Sequence, residues 1–195
     1  MINAIVVFNN YGKPRLTKFY QYFTNEEQQQ IINETFHLVA KRDDQTCNFL
    51  ELPSTSLLCT KTTENCKLIY RHYATLYFVF CVDAAESELG ILDLIQVFVE
   101  SLDRSFSNVC ELDLIFNSDS IHWLLDEIVQ SGMVLETNIN NIIMKFEEQN
   151  KIAKVETSPA SAKANSAVSA IKNINLPQLK EKVRDLPNSF KDLKF

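Results

Sequence analysis

The sequence predicts an α+β fold in which five strands form an antiparallel sheet and a long helix covers one of its faces. Three observations predict it. Residues 2–21 hold two β-branched and aromatic runs separated by the turn-prone Asn9-Asn10-Tyr11-Gly12. Residues 67–82 hold two more, joined at Ala74-Thr75. Between Glu86 and Phe106 the apolar residues Leu89, Leu92, Ile95, Val99, Leu102 and Phe106 recur every three to four positions, the period of a helix with one buried stripe.

In chain order, Ile2–Asn9 reads as a buried strand and Arg15–Gln21 as its hairpin partner, with Pro14 at the edge, where a missing N–H is tolerated. Thr24 followed by Glu26 and Glu27 opens a helix with acids near its positive end, and Lys41-Arg42 suits its C-terminus. Cys47–Glu51 reads as a short strand and 52–65 as a polar loop. Lys67–Tyr73 and Leu76–Val82 complete the five strands, a hairpin, helix, three-strand order that favours an antiparallel sheet. In the long helix, Gly90 costs up to about 1 kcal/mol against Ala, which suggests close packing there. Helical spacing resumes at Leu112–Phe116 and from Ile121 to Val129, with Asp119 or Ser120 as a cap. Gly132 stops it, and Ile139–Gln149 reads as a last helix.

Beyond Asn150 the character of the chain changes. Residues 1–150 carry 10 Lys/Arg against 21 Asp/Glu, a charge of −11, and residues 151–195 carry 9 against 4, or +5, which together give −6. The expected organisation is a folded domain over 1–150 and a flexible, disordered basic tail over 151–195. Thr157–Ala170 is nearly all small and polar, while Ile171, Ile174, Leu179, Val183, Leu186, Phe190 and Leu193 keep a broken helical spacing that a partner or an anionic membrane surface could order. The acidic body excludes nucleic acid as a natural partner, because neutralising phosphates needs a basic face. No run approaches the ~18 apolar residues of a membrane span, and the first residues lack a basic leader, so the expectation is cytosolic. The odd count of five cysteines with no C-x-x-C pair reads as reduced, small core residues.

Catalytic chemistry finds no footing. His37, His72 and His122 fall on separate elements without the i, i+4 spacing of helical metal pairs. Three glycines in all cannot build a phosphate loop, and no cysteine has a visible base beside it. The pairs Glu111 with Asp113 and Asp126 with Glu127 diverge on a helix, as a solvated face or partner contact would. Neither an enzyme nor a cofactor or metal is expected.

Four segments in order carry a resemblance: Asn9-x-x-Gly12-Lys13-x-Arg15-Leu16-x-Lys18, Asn48-Phe49-x-Glu51, Ile69-Tyr70-Arg71-x-Tyr73-Ala74-x-Leu76-Tyr77-Phe78, and Asn108-Val109-Cys110-Glu111-Leu112-Asp113. They resemble the small sigma subunits of the adaptor protein complexes, which select cargo for coated vesicles. Glu86–Gln96, Gly132–Asn138 and Ala167–Asn173 are similar to the branch belonging to adaptor protein complex 3. The resemblance implies a longin-like fold with helices on both sides of the sheet. It implies a heterotetramer in which the chain docks on a large delta-adaptin subunit beside beta and mu chains, and peripheral membrane association through that complex. The implied work is transport from Golgi and endosomes toward lysosome-related organelles.

The resemblance also implies a shallow site for acidic dileucine signals, an Asp or Glu four residues before a Leu-Leu or Leu-Ile pair, in the cytosolic tails of cargo membrane proteins. The matching residues are Ala74, Leu76, Val99, Asn108, Val109, Leu112 and Leu114 for the leucines and Arg15 for the acid. Physically, Ala74 leaves room for an incoming side chain, Val99 and Val109 make stiff walls, and Arg15 lies just past a turn, where a guanidinium can meet a carboxylate. The bland alternatives are ordinary core for the apolar residues and, for Arg15, an edge charge or a contact to the partner subunit. The competing reading for the whole chain is a structural small chain, as in a coatomer-type coat, that braces its large subunit without touching cargo. Two features depart from the pattern: 52–65 is longer than in clathrin adaptors, and little after Leu176 matches.

Overall fold

The computed structural model describes residues 1–42, 46–53, 55–62 and 65–156. Strands β1 (Ile2–Asn9), β2 (Pro14–Phe19), β3 (Phe49–Glu51), β4 (Cys66–Tyr73) and β5 (Leu76–Asp83) form one sheet in the order β2-β1-β5-β4-β3. Every neighbouring pair is antiparallel. β1 lies between β2 and β5 and all eight of its residues are buried, which is why its interior, Ala4 to Phe8, is a continuous apolar run rather than an alternation.

Alternate residues of that strand serve opposite faces. Ile5 and Val7, with Phe78 and Phe80, pack against Ile95, Phe98 and Leu102 of α3 (Glu88–Phe106), against Leu124 of a helix at Ser118–Ile128, and against Ile142 of one at Ile139–Glu156. Ala4, Val6 and Phe8 pack on the other face against Ile31 and Ile32 of α1 (Asn25–Val39) and Leu58 of α2 (Leu57–Thr62). With α4 at Glu111–Phe116, the remaining two helices are α5 and α6 in chain order. The five-stranded antiparallel sheet with helices on both sides is as the sequence and its resemblance led us to expect.

Helix ends follow their local chemistry. Thr24 caps α1 through a box in which its hydroxyl accepts from the Glu27 amide and the Glu27 carboxylate accepts from the Thr24 amide. Ser87 caps α3, accepting from the Gly90 amide. At the other end, Ser107 and Asn108 both take left-handed backbone, φ 51° and 72°, and turn the chain sharply out of the helix.

Other expectations need correction. The segment read as a polar loop, 52–65, contains α2, and it buries Leu52, Ser56, Leu58 and Cys59. The helix is driven by that burial, since six residues are too few to be stable on propensity alone. Leu89, read as part of the buried stripe of α3, is 70% exposed in the helix's first turn, beyond the sheet's cover. α5 begins at Ser118 with Asn117 at its cap position, instead of being capped by Asp119 or Ser120. α6 runs past Gln149 to Glu156 through Lys, Ala, Ile and Glu, which suit a helix. A two-residue hairpin, β6 (Val129–Gln130) and β7 (Met133–Val134), surrounds Gly132. Of the five cysteines, Cys59, Cys66 and Cys81 are buried, but Cys47 and Cys110 are exposed. The tail readings over 157–195 lie outside the described residues.

Gly90 also departs from the close packing inferred for it. A methyl group there would meet only the Ser87 side chain, at an ordinary 3.5 Å. Gly90→Ala should therefore stabilise the chain by about 1 kcal/mol through a less costly helix backbone. Chemical denaturation reads this directly, and a loss of stability would show that the position is not open.

Candidate functional site

The β4–β5 turn, the C-terminal half of α3 and the entry to α4 enclose a cavity of about 460 Å³. Tyr73 pairs with Leu76 across a two-residue turn, and Ala74 takes a left-handed φ of 53° within it. That conformation costs about 1–2 kcal/mol for an L-residue with a Cβ, so the surrounding sheet must impose it. Opposite the turn, the left-handed Ser107 and Asn108 direct the chain back over α3. The Val109 amide then donates to Asp103 Oδ1 at 3.3 Å, and the Cys110 amide donates to Asp113 Oδ2 at 2.9 Å to start α4. This hydrogen bond from the Cys110 amide holds the Asp113 carboxyl below its usual range.

The cavity is apolar below and polar above. Leu76, Phe78 and Leu114 are buried at its base, and Phe78 meets Phe98 and Tyr73 edge-on. Val99 and Val109 are half-buried at its sides. Along one lip, Arg71 Nη1 and the Tyr73 hydroxyl both donate to Gln96 Oε1, and Gln96 Nε2 donates to Glu100 at 2.8 Å. Glu100, Asp103 and Glu111 also line the cavity.

Ala74, Leu76, Val99, Val109 and Leu114, five of the eight residues singled out from the sequence, thus share one cavity. Asn108 and Leu112 are not in its lining. Asn108 is exposed and contributes the backbone turn that delivers Val109, while Leu112 is 58% exposed on α4. Arg15 lines a neighbouring, more polar cavity of about 390 Å³ with Thr17, Asn25, Gln28, Gln29 and His122. It reaches the apolar cavity through Glu111, donating from Nε to Glu111 Oε1 at 2.7 Å.

Glu111, read from the sequence as part of a solvated face or a partner contact, is paired within the chain. Arg15 and Asn9 Nδ2 both donate to it, and these bonds hold its carboxyl below the usual range, Arg15 contributing most. Asp126 and Glu127 are likewise paired, with Lys18 and Lys145. Phe78, Gln96, Glu100, Asp103 and Glu111 are site residues that sequence reasoning missed. For Glu111 the one available signal is its place inside the Asn108–Asp113 segment. Among the described residues no group of His, Cys, Asp and Glu could hold a metal ion, and no helix is long and apolar enough to cross a membrane.

An apolar cavity walled by short stiff side chains thus carries a hydrogen-bonded charged pair at its margin. Comparison with known proteins gives the class of protein to which this fold belongs. The sequence model of the clathrin adaptor complex small chain matches residues 1–153. The chain belongs to this family, whose members are non-enzymatic components of trafficking complexes.

Within the family its similarity is to the sigma subunits of the AP-3 complex. The human AP-3 complex subunit sigma-2 is 64% identical over 179 residues, covering 92% of this chain and 90% of the relative. The AP-3 complex subunit sigma of Dictyostelium discoideum is 58% identical over 156 residues, covering 80% and 90%. A chain of a homology model of the full-length AP-3 complex in a stretched open conformation superimposes with a TM-score of 0.62 at 45% identity, covering 80% of this chain and 96% of that one.

Proposed function

We propose that this chain is the small subunit of a heterotetrameric adaptor complex that recognises acidic dileucine signals in the cytosolic tails of cargo membrane proteins. Its partners in this reading are a large delta-adaptin subunit with beta and mu chains, and its route runs from Golgi and endosomal membranes toward lysosome-related organelles. The observation that carries the reading is the convergence of Ala74, Leu76, Val99, Val109 and Leu114 on one open cavity of about 460 Å³. Residues from a strand turn, a long helix and a post-helix bend have no reason to leave such a cleft if they serve only to fill a core.

Magnitudes fit a transient recognition event. Burying two leucine side chains is worth a gross ~3–6 kcal/mol, and the cost of association removes much of it. Useful affinity then depends on several signals engaging a membrane-bound complex at once.

A second reading, the bracing small chain that ignores cargo, is favoured by one observation. Arg15 already has an internal carboxylate partner in Glu111. Arg15→Glu separates the two. In the complex purified through this chain, the substitution should lower affinity for a peptide with Glu four residues before Leu-Leu by at least about tenfold, since it replaces attraction with repulsion. Calorimetric or fluorescence titration in which the wild-type complex ignores this peptide, or in which Arg15→Glu changes nothing, leaves only the bracing role.

A further inference from the structure

We propose that Glu111 is a positioning residue for Arg15, fixing the guanidinium by its Nε so that the Nη pair is left to meet the carboxylate of an incoming signal. The inference rests on the dileucine reading of the apolar cavity and adds to it the group that makes acid recognition selective.

The contact between the two side chains is one-pointed. A guanidinium that closes on a carboxylate as a final partner commonly does so through two parallel N–H bonds. Here the bond shown is Nε to Oε1 at 2.7 Å, and the same oxygen accepts from Asn9 Nδ2 at 3.0 Å. Nε is the donor closest to the side-chain stem, so holding it orients the whole planar fork while its outer end stays open.

The holder is itself held. Asn9 is buried, and its Oδ1 accepts from the amides of Tyr11 and Lys13, which locks the side chain into the β1–β2 turn. Glu111 is anchored in the first turn of α4, just after the left-handed bend. A chain of hydrogen bonds therefore runs from the turn amides through Asn9 and Glu111 to Arg15, joining residues 96 positions apart. The Arg15 side chain retains 20% of its exposure and Glu111 27%, so both are restrained yet reachable from solvent.

The physical gain is preorganisation. A free arginine loses substantial rotamer entropy when it clamps a ligand, and fixing it in the unliganded protein moves that loss from binding to folding. The accompanying loss is long-range attraction, because Glu111 offsets the charge of Arg15. The site should thus read an acidic residue by the geometry of two N–H bonds more than by its field.

Two peptides test this in the purified complex, one with Glu and one with Gln four residues before the Leu-Leu pair. The wild-type complex should prefer the Glu peptide, and Arg15→Ala should erase the preference. If Arg15→Ala leaves it intact, Arg15 does not read the acid, and the dileucine reading of this margin falls together with this inference. Once Arg15→Ala has erased the preference, Glu111→Ala should narrow the ratio of Glu-peptide to Gln-peptide affinity about five- to tenfold. Glu111→Gln keeps a carbonyl acceptor for Nε and should retain most of the preference. Equal losses in both Glu111 variants, or tighter binding of the Glu peptide by Glu111→Ala, overturn the positioning role. The latter result would mark Glu111 as a competitor for Arg15.

Discussion

Val99→Asp and Val109→Asp should each lower the affinity for a dileucine peptide by about a hundredfold or more while the complex still assembles. Both valines line the apolar cavity from its sides and remain half-buried in the free chain. An aspartate there stays hydrated while the cleft is empty, so folding bears little of the cost. When a leucine enters, the carboxylate loses its water and finds no cation in the lining, where Glu100, Asp103 and Glu111 already repel it. An uncompensated buried polar group costs about 1–3 kcal/mol and a charge costs more, which converts to a hundredfold or greater change. Titration with a dileucine peptide, set beside co-purification of the other subunits, measures the two effects separately. Binding within threefold of wild type in both variants would remove the cavity from the recognition site.

The largest effect on stability should come from Gly132→Ala, at about 3 kcal/mol or more. Gly132 adopts φ +79° in the β6–β7 turn, and its carbonyl accepts from the Ile2 amide at 2.9 Å. A Cβ built there would stand 2.3 Å from the Ile2 carbonyl oxygen and 3.0 Å from the Met1 side chain. The left-handed backbone alone costs a residue with a Cβ about 1–2 kcal/mol. The clash must also push the start of β1 away and stretch a bond in the most buried strand of the sheet. Urea unfolding that gives Gly132→Ala a stability within 1 kcal/mol of wild type would refute this account.

That turn also shows where the sequence stops being legible. Gly132 is readable as the end of a helix, but its contact with Ile2 spans the whole domain, and no local pattern encodes it. The β1 run and the α3 stripe are legible because each is long enough to declare its period against a single environment. α2 is not, because six residues, fewer than two helical turns, leave too little period to read, and its formation depends on burial of Leu58 and Cys59 against β-strand residues far away. Leu89 follows the period yet lies in the first turn of its helix, where the sheet no longer provides cover.

For the candidate site, residue identities came from a family resemblance, and composition or spacing alone would not have chosen Val99 over Val97. The left-handed backbone of Ala74, Ser107 and Asn108 was invisible for a different reason. Glycine announces such conformations, and these positions hold side chains that the surrounding fold forces into them. The Arg15–Glu111 pair was hidden by distance along the chain, since charge-pairing rules for helices and strands reach only three or four residues or a direct cross-strand neighbour.

The margins of the sheet have a consequence for how the molecule behaves in a crowded solution. One outermost strand, β2, opens with Pro14, which offers no amide, and carries the cationic Lys18, while the other, β3, is only three residues long. Neither presents a lengthy row of bare main-chain groups onto which another copy could stack. A chain whose exposed apolar residues include Leu112, Ile115 and Phe116 can thereby keep from polymerising through its strands, leaving association to side-chain surfaces that choose their companion.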